Sequence, residues 1–259
     1  MSAREFIALT ADPGSFVSWD APPEHGEVEP GYGAELRAAA EASGVDEAVL
    51  TGEARIGGHP VALVVSEFGF LAGSIGVATA RRLILAIERA TALGLPLLAA
   101  PASGGTRMQE GTLAFVQMIG VSAAVTAHKA AGLPYLVYLR DPTTGGVLAS
   151  WGSLGQLTLA QPAALVGFLG PRVYTALYGG EFPAGVQTAE NLAAHGLVDG
   201  VVAPGELAGL LARTLRVLCA PRTAAGVAVP EPGPAGRPGR LPRPEGLHRA
   251  VRRRVPGRR

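Results

Sequence analysis

Apolar residues in this chain fall into short dense runs separated by glycine-rich turns. Leu95 to Ala100 and Leu133 to Leu139 are almost wholly apolar and flanked by Gly and Pro. Within them Leu97 to Ala100 and Tyr135 to Leu139 predict strands buried on both faces. Between 77 and 93 the spacing changes: apolar positions at Leu83, Ile84, Ile87 and Ala90 predict a helix, with Gly94 as its stop and Pro96 as the exit. Val49 to Thr51, the turn Gly57-Gly58-His59-Pro60 and Val61 to Ser66 read as a β-hairpin. Met108 to Gly132 reads mostly as helix, and Val147 to Leu154 is helix-compatible. Leu157 to Ala160 and Leu165 to Phe168 read as short strands, then Val186 to His195 as helix, Gly200 to Val202 as strand and Glu206 to Leu218 as a last helix. Residues 1 to about 48 read as peripheral, with a turn at Asp12 to Phe16, a Pro/Gly/acid-rich stretch from Ala21 to Gly33 and a short helix from Ala34 to Ala42. Strand–helix alternation of this kind predicts right-handed crossovers and a parallel sheet.

Composition divides the chain in two. Beyond Pro221 the apolar periodicity lapses into Gly, Pro and Arg, so residues 1–219 are expected to fold and 220–259 to form a disordered tail. The tail's ten arginines against Glu231 and Glu245 give it a charge of +8, leaving −7 on the remainder of a chain whose net charge is +1. The tail lacks interleaved aromatics, so specific nucleic-acid binding is not expected. Cys219 is the single cysteine, which excludes an internal disulfide framework. No signal-like leader is visible, and the apolar runs fall short of the roughly 20 residues a bilayer span needs. The expectation is a soluble, cytoplasmic protein with no membrane association.

The candidate chemistry lies in two turns about 40 residues apart, Ala102-Ser103-Gly104-Gly105-Thr106-Arg107-Met108-Gln109-Glu110-Gly111 and Asp141-Pro142-Thr143-Thr144-Gly145-Gly146-Val147. Each closes a strand and opens a helix-compatible segment. Paired glycines there expose backbone N–H groups and admit a ligand closely. Two such turns facing one point would make an oxyanion hole, with Gly104, Gly105, Gly145 and Gly146 as catalytic positions. The plain alternative is that glycine pairs recur by chance in a chain with 36 glycines. Gly73-Ser74-Ile75-Gly76 is a further glycine turn. Arg107 and Glu110 read either as a surface ion pair or as an arginine ordering the first turn. Gly170-Pro171-Arg172 reads as a loop whose arginine meets a phosphate, a partner carboxylate or only solvent. Asp141 suits an Asx-type anchor, and Trp151 suits core or interface packing. His25, His59, His128 and His195 show no metal-ligand spacing.

The segment from Ala48 to Val202 resembles the β-type half of the acyl-CoA carboxyltransferases, the acetyl-CoA carboxylase β-subunit family of the crotonase-like α/β fold. The likeness rests on Ser103 to Gly111, Leu133-Pro134-Tyr135, Asp141 to Ser150, Gly167-Phe168-Leu169-Gly170-Pro171-Arg172-Val173 and Gly196-Leu197-Val198-Asp199, with Phe70 to Gly76 upstream. It implies a spiral of ββα units. An acyl-CoA substrate would lie along the glycine turns, touched by Gly73, Ser74, Ser103, Arg107, Phe168, Gly170, Pro171 and Arg172. Carboxybiotin would supply the carboxyl group to an acyl enolate steadied by backbone donors.

The same resemblance implies an α-type carboxyltransferase subunit and a biotin carboxyl carrier protein as partners. Lys129 follows His128 rather than a methionine, so biotin would arrive on a separate protein. The zinc ribbon usual in bacterial β-subunits needs four cysteines, so no zinc is expected. The chain departs from the family at Glu67, Ala72, Ala80-Arg81-Arg82, Thr106 and Val186. Two other readings stand beside this one: a biotin-independent malonyl-thioester decarboxylase subunit, and a non-catalytic scaffold subunit.

Overall fold

The computed structural model describes residues 1–169 and 171–220, with Pro171, Arg172 and Val173 described by their backbone alone. Gly170 and residues 221–259, the expected tail after its first residue, lie outside the described residues. The chain opens with α1 (Ala3–Thr10), β1 (Val17–Ser18), α2 (Pro30–Ser43), β2 (Val49–Ile56) and β3 (His59–Ser66). There follow α3 (Val77–Ala92), β4 (Leu97–Ala100), α4 (Gly111–Ala130), β5 (Tyr135–Leu139), β6 (Thr143–Thr144) and α5 (Gly145–Ala149). The last elements are β7 (Leu157–Ala160), β8 (Val166–Gly167), α6 (Pro171–Tyr178), α7 (Ala189–Ala194), β9 (Gly200–Val201) and α8 (Pro204–Leu218).

A seven-stranded sheet runs β1-β2-β3-β4-β5-β7-β9. The β1, β2 and β3 pairings are antiparallel, and every pairing from β3 onward is parallel. Successive side chains point to opposite faces of a strand, so Leu97 and Ala99 join one core while Leu98 and Ala100 join the other. The first core holds Leu83 and Ile87 of α3 and Val121 and Val125 of α4. The second holds Phe6 of α1 and Leu207, Leu211 and Leu215 of α8. Helices therefore cover both faces, which is why β4 and β5 are apolar without interruption.

Three expectations are corrected. The first residues are not peripheral: Ser2 and Glu5 form a capping box on α1, and Phe6 is buried and stacks on Tyr138 with ring centroids 5.7 Å apart. The Gly170-Pro171-Arg172 segment is not a simple loop, because Pro171 begins α6, a position that suits a residue lacking an N–H. The helix after Gly146 is short, giving way to a 3₁₀ turn at Trp151–Ser153. Trp151 there is buried in the first core, so it is not a contact surface.

Candidate active site

Because β4 and β5 are parallel neighbours, the turns that follow them leave the sheet at the same end. Ser103 bridges to Thr143: the Ser103 N–H donates to Pro142 O at 2.6 Å and the Thr144 N–H to Ser103 O at 2.9 Å. The glycine pairs thereby meet. A Cβ on Gly105 would stand 3.7 Å from both the Gly145 Cα and the Gly146 nitrogen, and Gly105 has φ +112°, which a side chain would strain. Gly73 closes the group from behind, with its backbone so near Ala102 O that a Cβ would lie 2.1 Å from that oxygen.

The four glycines are not equivalent. The Gly104 N–H donates to Ala72 O at 2.9 Å, and the Gly105 N–H to Ser103 Oγ at 3.0 Å. A ligand oxygen would have to displace Ser103 Oγ to take the Gly105 donor, so the symmetric pair of free turns expected from the sequence is corrected. Ser103 Oγ itself donates to Gly73 O at 2.6 Å and is buried, so Ser103 braces the turn rather than lining it. At the second turn, Gly145 and Gly146 begin α5. The first N–H groups of a helix have no intrahelical acceptor, and Thr144 makes no side-chain cap to them. Among the described residues these are the glycine-turn donors left open. Thr144 pairs with Gly167, so Phe168, 65% exposed, follows directly beside the opening of α5.

Arg107 departs from the surface-pair and substrate-contact expectations and fits the other reading, an arginine that orders the first turn. Its side chain is wholly buried, so it neither lies on the surface nor can touch substrate. The guanidinium grips Glu47 with two hydrogen bonds, of 2.7 and 2.8 Å, and donates to Ser74 O at 2.9 Å, Thr79 Oγ1 at 3.0 Å and Tyr32 Oη at 3.1 Å. Glu110 lies farther from the guanidinium, at 3.4 Å, and accepts from the Val77 N–H and from Tyr32 Oη, each at 2.5 Å. Burial acts to raise the Glu47 carboxyl pKa, but the Arg107 guanidinium outweighs it and holds the group below its usual range. Burial and the Glu110 carboxylate together push the Tyr32 hydroxyl well above its usual range. Glu47, Tyr32 and Thr79 escaped the sequence reading because no spacing links them to Arg107. Asp141 likewise makes no local Asx turn: its Oδ1 accepts from the distant Leu165 N–H at 2.8 Å.

α4 is apolar on two sides. Ala114, Met118, Val121 and Val125 are buried, while Leu113, Phe115, Val116 and Ile119 are exposed. By length and composition alone the helical stretch Met108–Ala130 could cross a membrane, with 33% of its 18-residue apolar window buried, a character that core helices of soluble proteins share. Its inner face reaches the second turn, since a Cβ on Gly146 would lie 3.9 Å from Met118 Cγ and Ser150 Oγ lies 3.7 Å from Met118 S.

Solved structures place this architecture in the crotonase-like fold. The hexameric transcarboxylase 12S bound to methylmalonyl-coenzyme A superposes with a TM-score of 0.71 at 24% identity, over 83% of this chain and 41% of that one. A Pseudomonas malonate decarboxylase heterodimer superposes at 0.66 and 21% identity, over 83% and 85%. Residues 1–210 match the carboxyl transferase domain, and the chain belongs to that family. The probable biotin-dependent acyl-coenzyme A carboxylase beta3 subunit of Mycobacterium tuberculosis is 61% identical over 86% of this chain, which spans 44% of that protein's length. The acetyl-coenzyme A carboxylase carboxyl transferase subunit beta of Desulfitobacterium hafniense is 44% identical over 83% of this chain and 71% of its own.

Proposed function

We propose that the chain is the β-type half of a biotin-dependent carboxyltransferase that acts on a short acyl-CoA. The observation that carries this reading is the contact of Gly105 with Gly145 and Gly146 at the uncapped start of α5. An acyl thioester losing its α-proton places negative charge on the thioester oxygen. Gly145 and Gly146 would donate to that oxygen, and fixed donors of this kind act without reorganising as the charge develops. Gly104 and Gly105, whose donors are already engaged, form the facing wall, and Phe168, Ser74 and the start of α6 flank the acyl-CoA. Carboxybiotin, carried on a separate protein, would supply the carboxyl group. The reaction needs no side-chain nucleophile from this chain.

The partner in this reading is an α-type carboxyltransferase half. The mycobacterial relatives are more than twice the span matched here, and α4, whose inner face packs on the second turn, leaves its other side apolar and exposed. An apolar face of this kind marks a protein contact, so the α-type half covers Leu113, Val116 and Ile119. The assembly is assigned to the cytoplasm.

Mixing the purified chain with an α-type half, a biotinylated carrier and malonyl-CoA tests the reading. Carboxyl transfer only in the full mixture supports it. Carbon dioxide release by the chain without biotin would establish the decarboxylase instead, and inertness of the assembled mixture would leave a scaffold.

A further inference from the structure

We infer that Glu47, Tyr32 and Glu110 are positioning residues for the glycine turn, acting through Arg107; the inference rests on the proposed role of that turn. The turn is tied by its backbone to the segment leading into α3, through Gly104 to Ala72 O and through Ile75. The Ile75 N–H donates to Gly105 O at 2.9 Å, and the Arg107 N–H donates back to Ile75 O at 3.0 Å. The Arg107 side chain then returns to the same segment, donating to Ser74 O. Residues 74–76 are therefore held between the backbone and the guanidinium of one residue.

What fixes the guanidinium is Glu47, just ahead of β2. What fixes the start of α3 is Glu110, which takes the Val77 N–H on one carboxylate oxygen and the Tyr32 hydroxyl on the other. The network leaves no slack: a Cβ on Gly76 would lie 2.3 Å from Glu110 Oε1 and 2.8 Å from Arg107 Nη1. A buried ion pair gains little stability over apolar side chains of the same volume, because both charges lose their water. A planar guanidinium does provide fixed directions. Here they tie together α2, the approach to β2, the start of α3 and the turn after β4. A shift at Glu47 or Tyr32 passes through Ser74 and Ile75 to Gly105, and so to the face that Gly105 presents to Gly146.

Amide hydrogen exchange, read by peptide, tests this without relying on activity. In Glu47→Gln, exchange across residues 74–80 and 102–110 should quicken about tenfold or more, while 135–139 and 204–218 stay within about twofold of wild type. Tyr32→Phe, which removes one hydroxyl, should quicken the same two segments about threefold. A uniform rise along the chain, or unchanged exchange at 74–80 and 102–110, overturns the inference. Should Glu47→Gln fail to fold, Tyr32→Phe decides by the same criterion. In the assembled mixture, Tyr32→Phe should lower kcat with KM for the acyl-CoA within about twofold, and an unchanged kcat counts against positioning. Absence of carboxyl transfer by wild type would remove the proposed function and leave the exchange result to judge the network.

Discussion

Gly105 and Gly146 face each other, and on the Gly105 side it is the backbone, at φ +112°, rather than the space, that strains a side chain. The Gly146 nitrogen lies 3.7 Å from where a Gly105 Cβ would stand, although the two residues leave different strands. Gly105 owes its place to the bridge between Ser103 and Thr143 and to the tie through Ile75. Gly146 owes its place to α5, which packs on Met118 of α4. The two turns are thus held by separate parts of the first core and meet at their glycines.

Gly146 is the cleaner position for testing the proposed donors, since its φ lies outside the left-handed region and a Cβ there would meet side chains alone, Thr106 Oγ1 at 3.0 Å and Met118 Cγ at 3.9 Å. Gly146→Val puts two methyl groups over the gap. Turnover in the assembled mixture should fall about 100-fold, corresponding to roughly 3 kcal/mol of lost transition-state stabilisation. Circular dichroism should be unchanged. Near-normal turnover by a folded variant removes the proposed role.

Ile119 is 70% exposed on α4, where a charge disturbs nothing within the chain. Ile119→Glu should leave the stability of the isolated chain within about 0.5 kcal/mol of wild type. It should abolish co-elution with the α-type half in size-exclusion chromatography. Retained co-elution would mean that the partner sits elsewhere.

Glu47 should be visible in the acid limb of stability. Burial works against its charge, Arg107 more than compensates, and the folded-state pKa falls below the ordinary 4.5. A depressed carboxyl contributes stability that is full above pH 4.5 and is lost as pH falls through the folded value. His25 Nδ1, 3.9 Å from the carboxylate, and nearby Glu110 and Tyr32 belong to the same cluster. The comparison is therefore with Glu47→Gln. In urea melts the wild type should exceed the variant by a constant margin from pH 7 down to about 5, and the margin should shrink below that. A margin independent of pH down to 3 would show that the carboxylate charge contributes nothing.

Elemental analysis of the purified chain should find no stoichiometric zinc. Cys219 is the only cysteine, and it is exposed at the end of α8, so a four-cysteine site cannot form within this sequence. One tightly bound equivalent of zinc would overturn that expectation and require a different ligand set.

The buried strands and the two glycine turns were legible in the sequence because both are local. An uninterrupted apolar run such as Leu97 to Ala100 admits few structures other than a strand covered on both faces, and a Gly-Gly pair after it must leave the sheet in a tight turn. The shared family motifs added the fold by resemblance. The fate of individual polar groups was not legible. Whether the Gly105 N–H is open depends on Ser103 Oγ, whose rotamer is set by Gly73 O, about 30 residues upstream. Arg107 and Glu110 stand three apart, a spacing that suggests a surface pair, yet the side chain of Arg107 lies beneath the turn against Glu47, 60 residues away. Hydrogen-bond partners of a buried charge are chosen by whichever segments the fold brings within about 3 Å. Sequence spacing carries that information along a helix or strand, and none of it between elements.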